Sequence, residues 1–241
     1  MAASSIGAPA STAVSRRSLA GEIATVCRRL YKRGLIAGQD GNVSVRLPSG
    51  HILVTPSGLS KVDVMPESLV ELTAEGKQVT DGPGASSEVG MHLRIYRERP
   101  DVRAIVHAHP PVATAFGVAG RDFMDAVLPE VIFHLGQVPL VPFALPGTPA
   151  LGDAMAPFLS GHDAFLLASH GATTVGPTLR LAHQRMESLE HAARILQTAM
   201  QIGPVTPLRA EDVAALRAAR EAARAGWEAD AARIEVDEED E

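Results

Sequence analysis

Apolar residues recur along this chain in two rhythms. Spacings of three and four mark helices, and short apolar or alternating runs mark strands. Ile23, Val26, Cys27, Leu30 and Tyr31 fall on one face of an amphipathic helix over about Ser18–Arg33. Gly34 suits the position that closes it. The strongest stripe starts near Thr178 and runs through Leu179, Ala182, Met186, Leu189, Ala193, Leu196 and Met200. So few heptads predict packing against a sheet or a subunit neighbour rather than a free-standing coiled coil. Further helices are expected over Val89–Glu98, Pro111–Gly117, Ala150–Leu159 and about Ala210–Arg224.

Val43–Leu47 and His51–Thr55 flank Pro48-Ser49-Gly50, a hairpin signature. Leu69–Thr73 and Gln78–Val79 read as a second pair of strands. Val102–Val106 and Ala164–Ser169 are short apolar runs of the buried-strand type. Val138–Val141 is flanked and interrupted by prolines, which favours a sheet edge. Strands joined by tight turns pair antiparallel. The expected fold is therefore α/β: a layered αβα domain with a central mixed, largely antiparallel sheet covered by helices.

The length of 241 residues suits one domain with a substantial core, expected over 17–226. Residues 1–16, rich in Ala and Ser and without acids, read as a disordered tail, with a transit-like segment as the alternative. Residues 227–241 read as an acidic tail. With 46% hydrophobic but only 4% aromatic residues, Ala, Val and Leu must build most of the core. The net charge of -6 and the lack of a long basic run argue against nucleic acid or an anionic membrane as partner. No apolar stretch approaches the roughly 20 residues of a membrane span. Cys27, the single cysteine, excludes an intrachain disulfide and fits a reducing compartment, the cytoplasm.

Candidate chemistry is concentrated in His107-Ala108-His109, at the end of an apolar run. Residues two apart in a strand point to the same side. Both imidazoles would face one point, half of a tetrahedral metal site. Two surface histidines that happen to alternate would give the same pattern. His170 ends a second apolar run and precedes Gly171. Glu88, after Ser86-Ser87, offers a carboxylate, although an acid in the first turn also favours the helix dipole. Three histidines and one carboxylate suit Zn²⁺, and less strongly Fe²⁺, Co²⁺ or Mn²⁺.

Three small-residue turns, Gly41-Asn42, Ser57-Gly58 and Ser86-Ser87, accompany these candidates. Glycine permits close backbone approach, and serine hydroxyls with helix N-terminal amides offer donors to phosphate. Ordinary turn chemistry explains any one of them.

Together the segments Gly41-Asn42-Val43-Ser44-Val45-Arg46, Thr55-Pro56-Ser57-Gly58, Ser86-Ser87-Glu88, His107-Ala108-His109 and Ser169-His170-Gly171 resemble the class II aldolase/adducin family, over about residues 18–200. The resemblance, closest to the fuculose-phosphate aldolase branch, implies that His107, His109 and His170 hold a divalent metal, usually zinc. It implies Glu88 as fourth ligand and proton-transfer residue, and Gly41, Asn42, Ser57, Gly58, Ser86 and Ser87 as the cradle of a sugar phosphate. It also implies a cyclic homotetramer. The expected reaction is aldol cleavage of a phosphorylated ketose resembling fuculose 1-phosphate, through an enediolate of dihydroxyacetone phosphate. A sugar-acid phosphate decarboxylase or a dehydratase on the same scaffold is the alternative. A non-catalytic adducin-like module is a third, disfavoured because all four metal-ligand positions are filled.

The chain departs from the family in its tyrosines. Family aldolases commonly place one as the acid on the aldehyde side, and another near the C-terminus. Here only Tyr31 and Tyr96 exist, both on expected helices. Glu130 and His134 lie in the corresponding variable stretch, as substitutes or as plain loop residues. Thr55 and Glu88 stand where the related ribulose-phosphate 4-epimerases tend to carry Lys and Asp. His92 is one helical turn from Glu88, either supporting the site or packing helix to sheet. His51, His162, His183 and His191 read as surface residues.

Overall fold

The computed structural model describes residues 15–122 and 127–232. The tail expected before residue 17 falls almost wholly outside them, as does the acidic run after 232. The helices are α1 (Arg16–Lys32), α2 (Val89–Glu98), α3 (Pro111–Val118), α4 (Pro149–Leu159), α5 (Leu179–Ile202) and α6 (Ala210–Ala232). The strands are β1 (Asn42–Arg46), β2 (Ile52–Val54), β3 (Val70–Leu72), β4 (Ala104–Ala108), β5 (Leu140–Val141), β6 (Ala164–Leu167) and β7 (Gly171–Gly176).

One seven-stranded sheet has the order β3-β2-β1-β4-β7-β6-β5. Every pairing is antiparallel except β5 with β6, which is parallel. The sheet is thus mixed and largely antiparallel, as expected. β5 sits at the edge, where prolines are tolerated.

Alternation along the strands sorts the core into two layers. Ala104, Val106 and Ala108 of β4 pack with Ile23, Cys27, Leu30, Met186 and Leu189 of α1 and α5. Ile105 of the same strand packs with Met91 and Ile95 of α2 and with Met155 of α4. The α5 stripe therefore meets the sheet. Burial pushes the Cys27 thiol up to about 12, so it stays a protonated core residue.

Four features depart from expectation. Gly171–Gly176 forms a central strand, buried throughout; its Gly, Ala and Thr residues give no apolar run to read. Gln78 makes only an isolated bridge to Leu72, because Val79 is half exposed and has no apolar face to bury. Val131–Leu135 is a π-helical turn, and α6 continues through Ala232 into the stretch expected as tail from residue 227.

Buried charges explain the last two. Asp163, at the start of β6, pairs with Arg99 (3.0 Å), Arg185 (2.9 Å) and Arg220 (2.6 Å). Burial raises its carboxyl, but the arginines outweigh burial and hold it below the usual range. Arg220 of α6 also donates to the Phe133 carbonyl, and Arg185 to that of His134. Trp227 stacks edge-on against Phe133. The cluster thereby docks α6 and the π-turn on the sheet. His183, expected at the surface, is buried on α5. His51 and His162 are half buried and bonded to Glu71 and the Phe158 carbonyl.

Removing one partner from a buried ion cluster strands the others. Asp163→Ala is expected to lower unfolding free energy by about 3–5 kcal/mol, measured by denaturant titration. A loss within about 0.5 kcal/mol would contradict this role.

Candidate metal centre and active site

The antiparallel register assembles the site. Asn42 of β1 lies opposite His107 of β4, which lies opposite Thr173 of β7. Residues paired across a sheet share a face, so these side chains sit together on the α2 side. His109 follows two residues on, and its backbone N–H donates to the Leu35 carbonyl (2.9 Å). Glu190 of α5 accepts from the amides of Val112 and Ala113, both at 3.0 Å, and so caps the helix that follows His109-Pro110.

His170 lies in the tight turn between β6 and β7. Its N–H donates to the Leu167 carbonyl (3.1 Å), and Ser169 takes a left-handed conformation with φ 54°. Gly171 cannot be replaced freely. A Cβ there would stand 2.6 Å from both the Ala108 carbonyl oxygen and Cδ2 of His109. The small residue lets the His109 ring lie against the turn.

His107, His109 and His170 converge, with ring centroids 4.8–5.1 Å apart. Their nearest nitrogens form a set that can hold a metal ion, all within 4.8 Å of one another. Nε2 of His107 is 3.2 Å from Nε2 of His109. Glu88 at the head of α2 places Oε2 3.3 Å from Nε2 of His107 and Oε1 3.1 Å from Nε2 of His170. The four predicted ligand side chains are therefore brought together.

The hydrogen bonds of His107 turn its Nε2 towards the others. Nδ1 of His107 lies 3.0 Å from the Ala172 carbonyl, which only accepts, so Nδ1 carries the proton. Nε2 is then the nitrogen that faces a carboxylate oxygen and another imidazole nitrogen, where a metal ion would take the place of a shared proton. The edges of a tetrahedron with bonds of about 2.0–2.1 Å are roughly 3.3–3.4 Å, close to the separations seen. Burial, with the neighbouring His107 and His170, pushes the His109 ring down to about 4. Burial raises the Glu88 carboxyl, but His107 and His170 outweigh it and hold Glu88 well below the usual carboxylate range. A neutral imidazole and an ionised carboxylate are the forms that bind metal.

The three turns lie side by side. The Thr55 N–H donates to the Val43 carbonyl (3.0 Å), the Ser57 N–H to the Gly84 carbonyl (2.9 Å), and the Ser86 N–H to the Thr55 carbonyl (3.2 Å). Ser57, Gly58 and Ser87 lie towards the surface, and Ser86 is buried. Gly58 has φ +73° with open space around it. Gly41 is required by the fold itself, since a Cβ there would meet the His107 carbonyl at 2.7 Å. Asn42 is buried, and its amide is already engaged by Glu88 and His92.

Neither tyrosine reaches the imidazoles. Tyr31 is on the outer part of α1, and Tyr96 is buried with its hydroxyl 2.8 Å from Ser44. The π-turn carrying His134 is tied by Arg185 to Asp163 and the Val175 carbonyl. That is the opposite end of β7 from His170, so within one chain Glu130 and His134 do not join the site. Residues 123–126 of the expected specificity loop are outside the described residues.

Residues 21–197 match the model of the Class II Aldolase and Adducin N-terminal domain. The chain belongs to this family. A 3-oxo-tetronate 4-phosphate decarboxylase of Pectobacterium atrosepticum is 37% identical, over 79% of this chain and 88% of its own length. The Escherichia coli K12 enzyme of that name is 33% identical, over 83% and 96%. An L-fuculose phosphate aldolase of Methanococcus vannielii is 32% identical, over 72% and 93%. Among solved structures, L-fuculose-1-phosphate aldolase from Thermus thermophilus superposes with a TM-score of 0.68 at 34% identity, covering 79% of this chain and 99% of its own. These relatives are named as decarboxylases and aldolases, which sets aside the non-catalytic module.

Because Gly171 makes room for the His109 ring, Gly171→Ala is expected to lower zinc affinity by about 10- to 100-fold. Competition with a chromophoric chelator measures this; unchanged affinity would contradict the packing argument.

Proposed function

We propose that this protein decarboxylates a phosphorylated 3-oxo sugar acid of the 3-oxo-tetronate 4-phosphate type, releasing CO₂ and dihydroxyacetone phosphate. The aldol cleavage expected from the sequence gives way to its stated alternative. Similarity to enzymes named for that decarboxylation, at 33–37% identity over about four fifths of the chain, is the observation that carries this reading. The tyrosines agree with it. Aldol cleavage needs an acid–base group at the aldehyde oxygen, whereas the fragment leaving here is CO₂. Tyr96 is sealed beneath the site and Tyr31 is remote.

In this reading His107, His109 and His170 hold one divalent ion, zinc by preference, with Glu88 as a displaceable fourth ligand. When bound, such an ion supplies a Lewis acid for the charge that develops on the substrate's keto oxygen. The bond between the carboxylate carbon and C2 breaks, and its electron pair passes into the enediolate spanning C2 and C3. Glu88, ionised at rest, takes a proton from water and passes it to C2, which completes dihydroxyacetone phosphate. Ser57, Gly58, Ser86 and Ser87 receive the phosphate through hydroxyls and backbone amides, with Gly41 and Asn42 shaping the inner wall. Residues 17–226 form the catalytic domain, working as a cytoplasmic homotetramer.

The test is product analysis with 3-oxo-tetronate 4-phosphate and fuculose 1-phosphate in parallel. Chelator-sensitive CO₂ release from the first, with little cleavage of the second, is expected. Dihydroxyacetone phosphate and an aldehyde from the second, with no CO₂ from the first, would return the assignment to aldol cleavage. Glu88→Gln is expected to lower kcat by about 10²- to 10⁴-fold, while Ser57→Ala raises KM with kcat nearly unchanged. Steady-state kinetics of both variants checks this, and a Glu88→Gln enzyme with full kcat would remove Glu88 from proton transfer.

A further inference from the structure

Behind Glu88 runs a buried file of polar groups that the chemistry above does not use. Glu88, His92 and Tyr96 are four residues apart on one stripe of α2, and Asn42 and Ser44 are two apart on the facing side of β1. Their side chains interleave. Tyr96 Oη is 2.8 Å from Ser44 Oγ, and Ser44 Oγ is 2.7 Å from His92 Nδ1. His92 Nε2 meets Asn42 Oδ1, and Asn42 Nδ2 lies 2.9 Å from Glu88 Oε2. Ser44 and His92 are fully buried, and Asn42 and Tyr96 nearly so.

Only one assignment of protons satisfies this file. The Glu88 carboxylate accepts, so the Asn42 amide must turn its NH₂ towards it. Asn42 Oδ1 then faces His92 and can only accept, so Nε2 of His92 carries the proton. Burial pushes the His92 ring down to about 3, so it is neutral and Nδ1 is bare. Nδ1 accepts from the Ser44 hydroxyl, whose oxygen accepts from Tyr96. Every member is satisfied, and reversing any link would set two acceptors or two donors face to face.

We propose that His92 is a positioning residue: by donating from Nε2 to Asn42 it locks that amide with its nitrogen towards Glu88, and so fixes the direction of the carboxylate at the metal centre. Ser44 and Tyr96 hold the His92 tautomer. A freed Asn42 could flip and press its carbonyl oxygen against Oε2. The proposal rests on the reading of Glu88 as a metal ligand and proton carrier.

Nitrogen NMR of the wild-type protein and cobalt(II) titration of His92 variants test it together. His92 is expected as the Nε2–H tautomer. His92→Phe is expected to shift the cobalt(II) absorption bands and to lower both cobalt affinity and kcat by about 10- to 100-fold. KM for the phosphorylated substrate should stay within about twofold. His92→Gln, whose terminal NH₂ can take the place of Nε2–H, is expected to restore most of the affinity and the wild-type bands. Should His92→Phe fail to fold, Ser44→Ala serves, with about a threefold loss in the same direction. An Nδ1–H tautomer, unchanged bands and affinity in the variant that folds, or a raised KM at unchanged kcat would overturn the proposal. If Glu88→Gln itself leaves the cobalt(II) bands and kcat unaltered, the underlying reading of Glu88 fails and the proposal falls with it.

Discussion

Three imidazoles and a carboxylate converge where β4 ends, and the local structure depends on how they are held together. The Ala172 carbonyl takes the Nδ1 proton of His107 and leaves Nε2 facing His109 and Glu88. A protein relaxes such an arrangement unless the surrounding fold holds it or a cation fills it. Here the fold holds it from several sides. The β1–β4–β7 register sets Asn42, His107 and Thr173 in a row. Glu190 caps the helix after His109, and Gly171 leaves just enough room for the His109 ring.

The same constraint explains why one face of the sheet is polar near the α2 N-terminus and apolar further on. Asn42, Ser44, His107 and Thr173 occupy positions that elsewhere on this face are filled by residues such as Ile52, Ile105 and Val175. Each of these polar groups has a partner, so burial is tolerated. Helix α2 accordingly does two things with one stripe: Glu88 meets the imidazoles, and His92 and Tyr96 complete the polar file behind it. A shared enediolate lets one such centre serve either aldol cleavage or decarboxylation. In the proposed reading the choice falls to groups around the leaving fragment, and neither tyrosine of this chain reaches the imidazoles.

The sequence made the candidate ligand set legible because strand periodicity is strict: residues two apart must share a face, and His107 and His109 do. The Pro-Ser-Gly and Ser-Ser turns carried their own signals, and the α1 and α5 stripes were plain. What stayed hidden depended on partners distant in sequence. His183 and Glu190 look like exposed polar residues of a helix until the α3 N-terminus and the packed interior are in view. The docking of α6 rests on Asp163, more than fifty positions from Arg220. Strand β7 was invisible because a strand buried on both faces, with Val175 as its single large apolar residue among Gly, Ala and Thr, carries no hydrophobic period. Asn42 was read by resemblance as a phosphate contact, yet its amide is held between His92 and Glu88, a role no local pattern encodes.

Metal K-edge X-ray absorption on zinc-loaded protein tests the central claim most directly, because it reads the ligand set without reference to any substrate. The account predicts one zinc per chain, bound by three imidazole nitrogens and carboxylate oxygen at about 2.0–2.1 Å. Substoichiometric zinc, or a bound ion with fewer than three imidazoles, would contradict it.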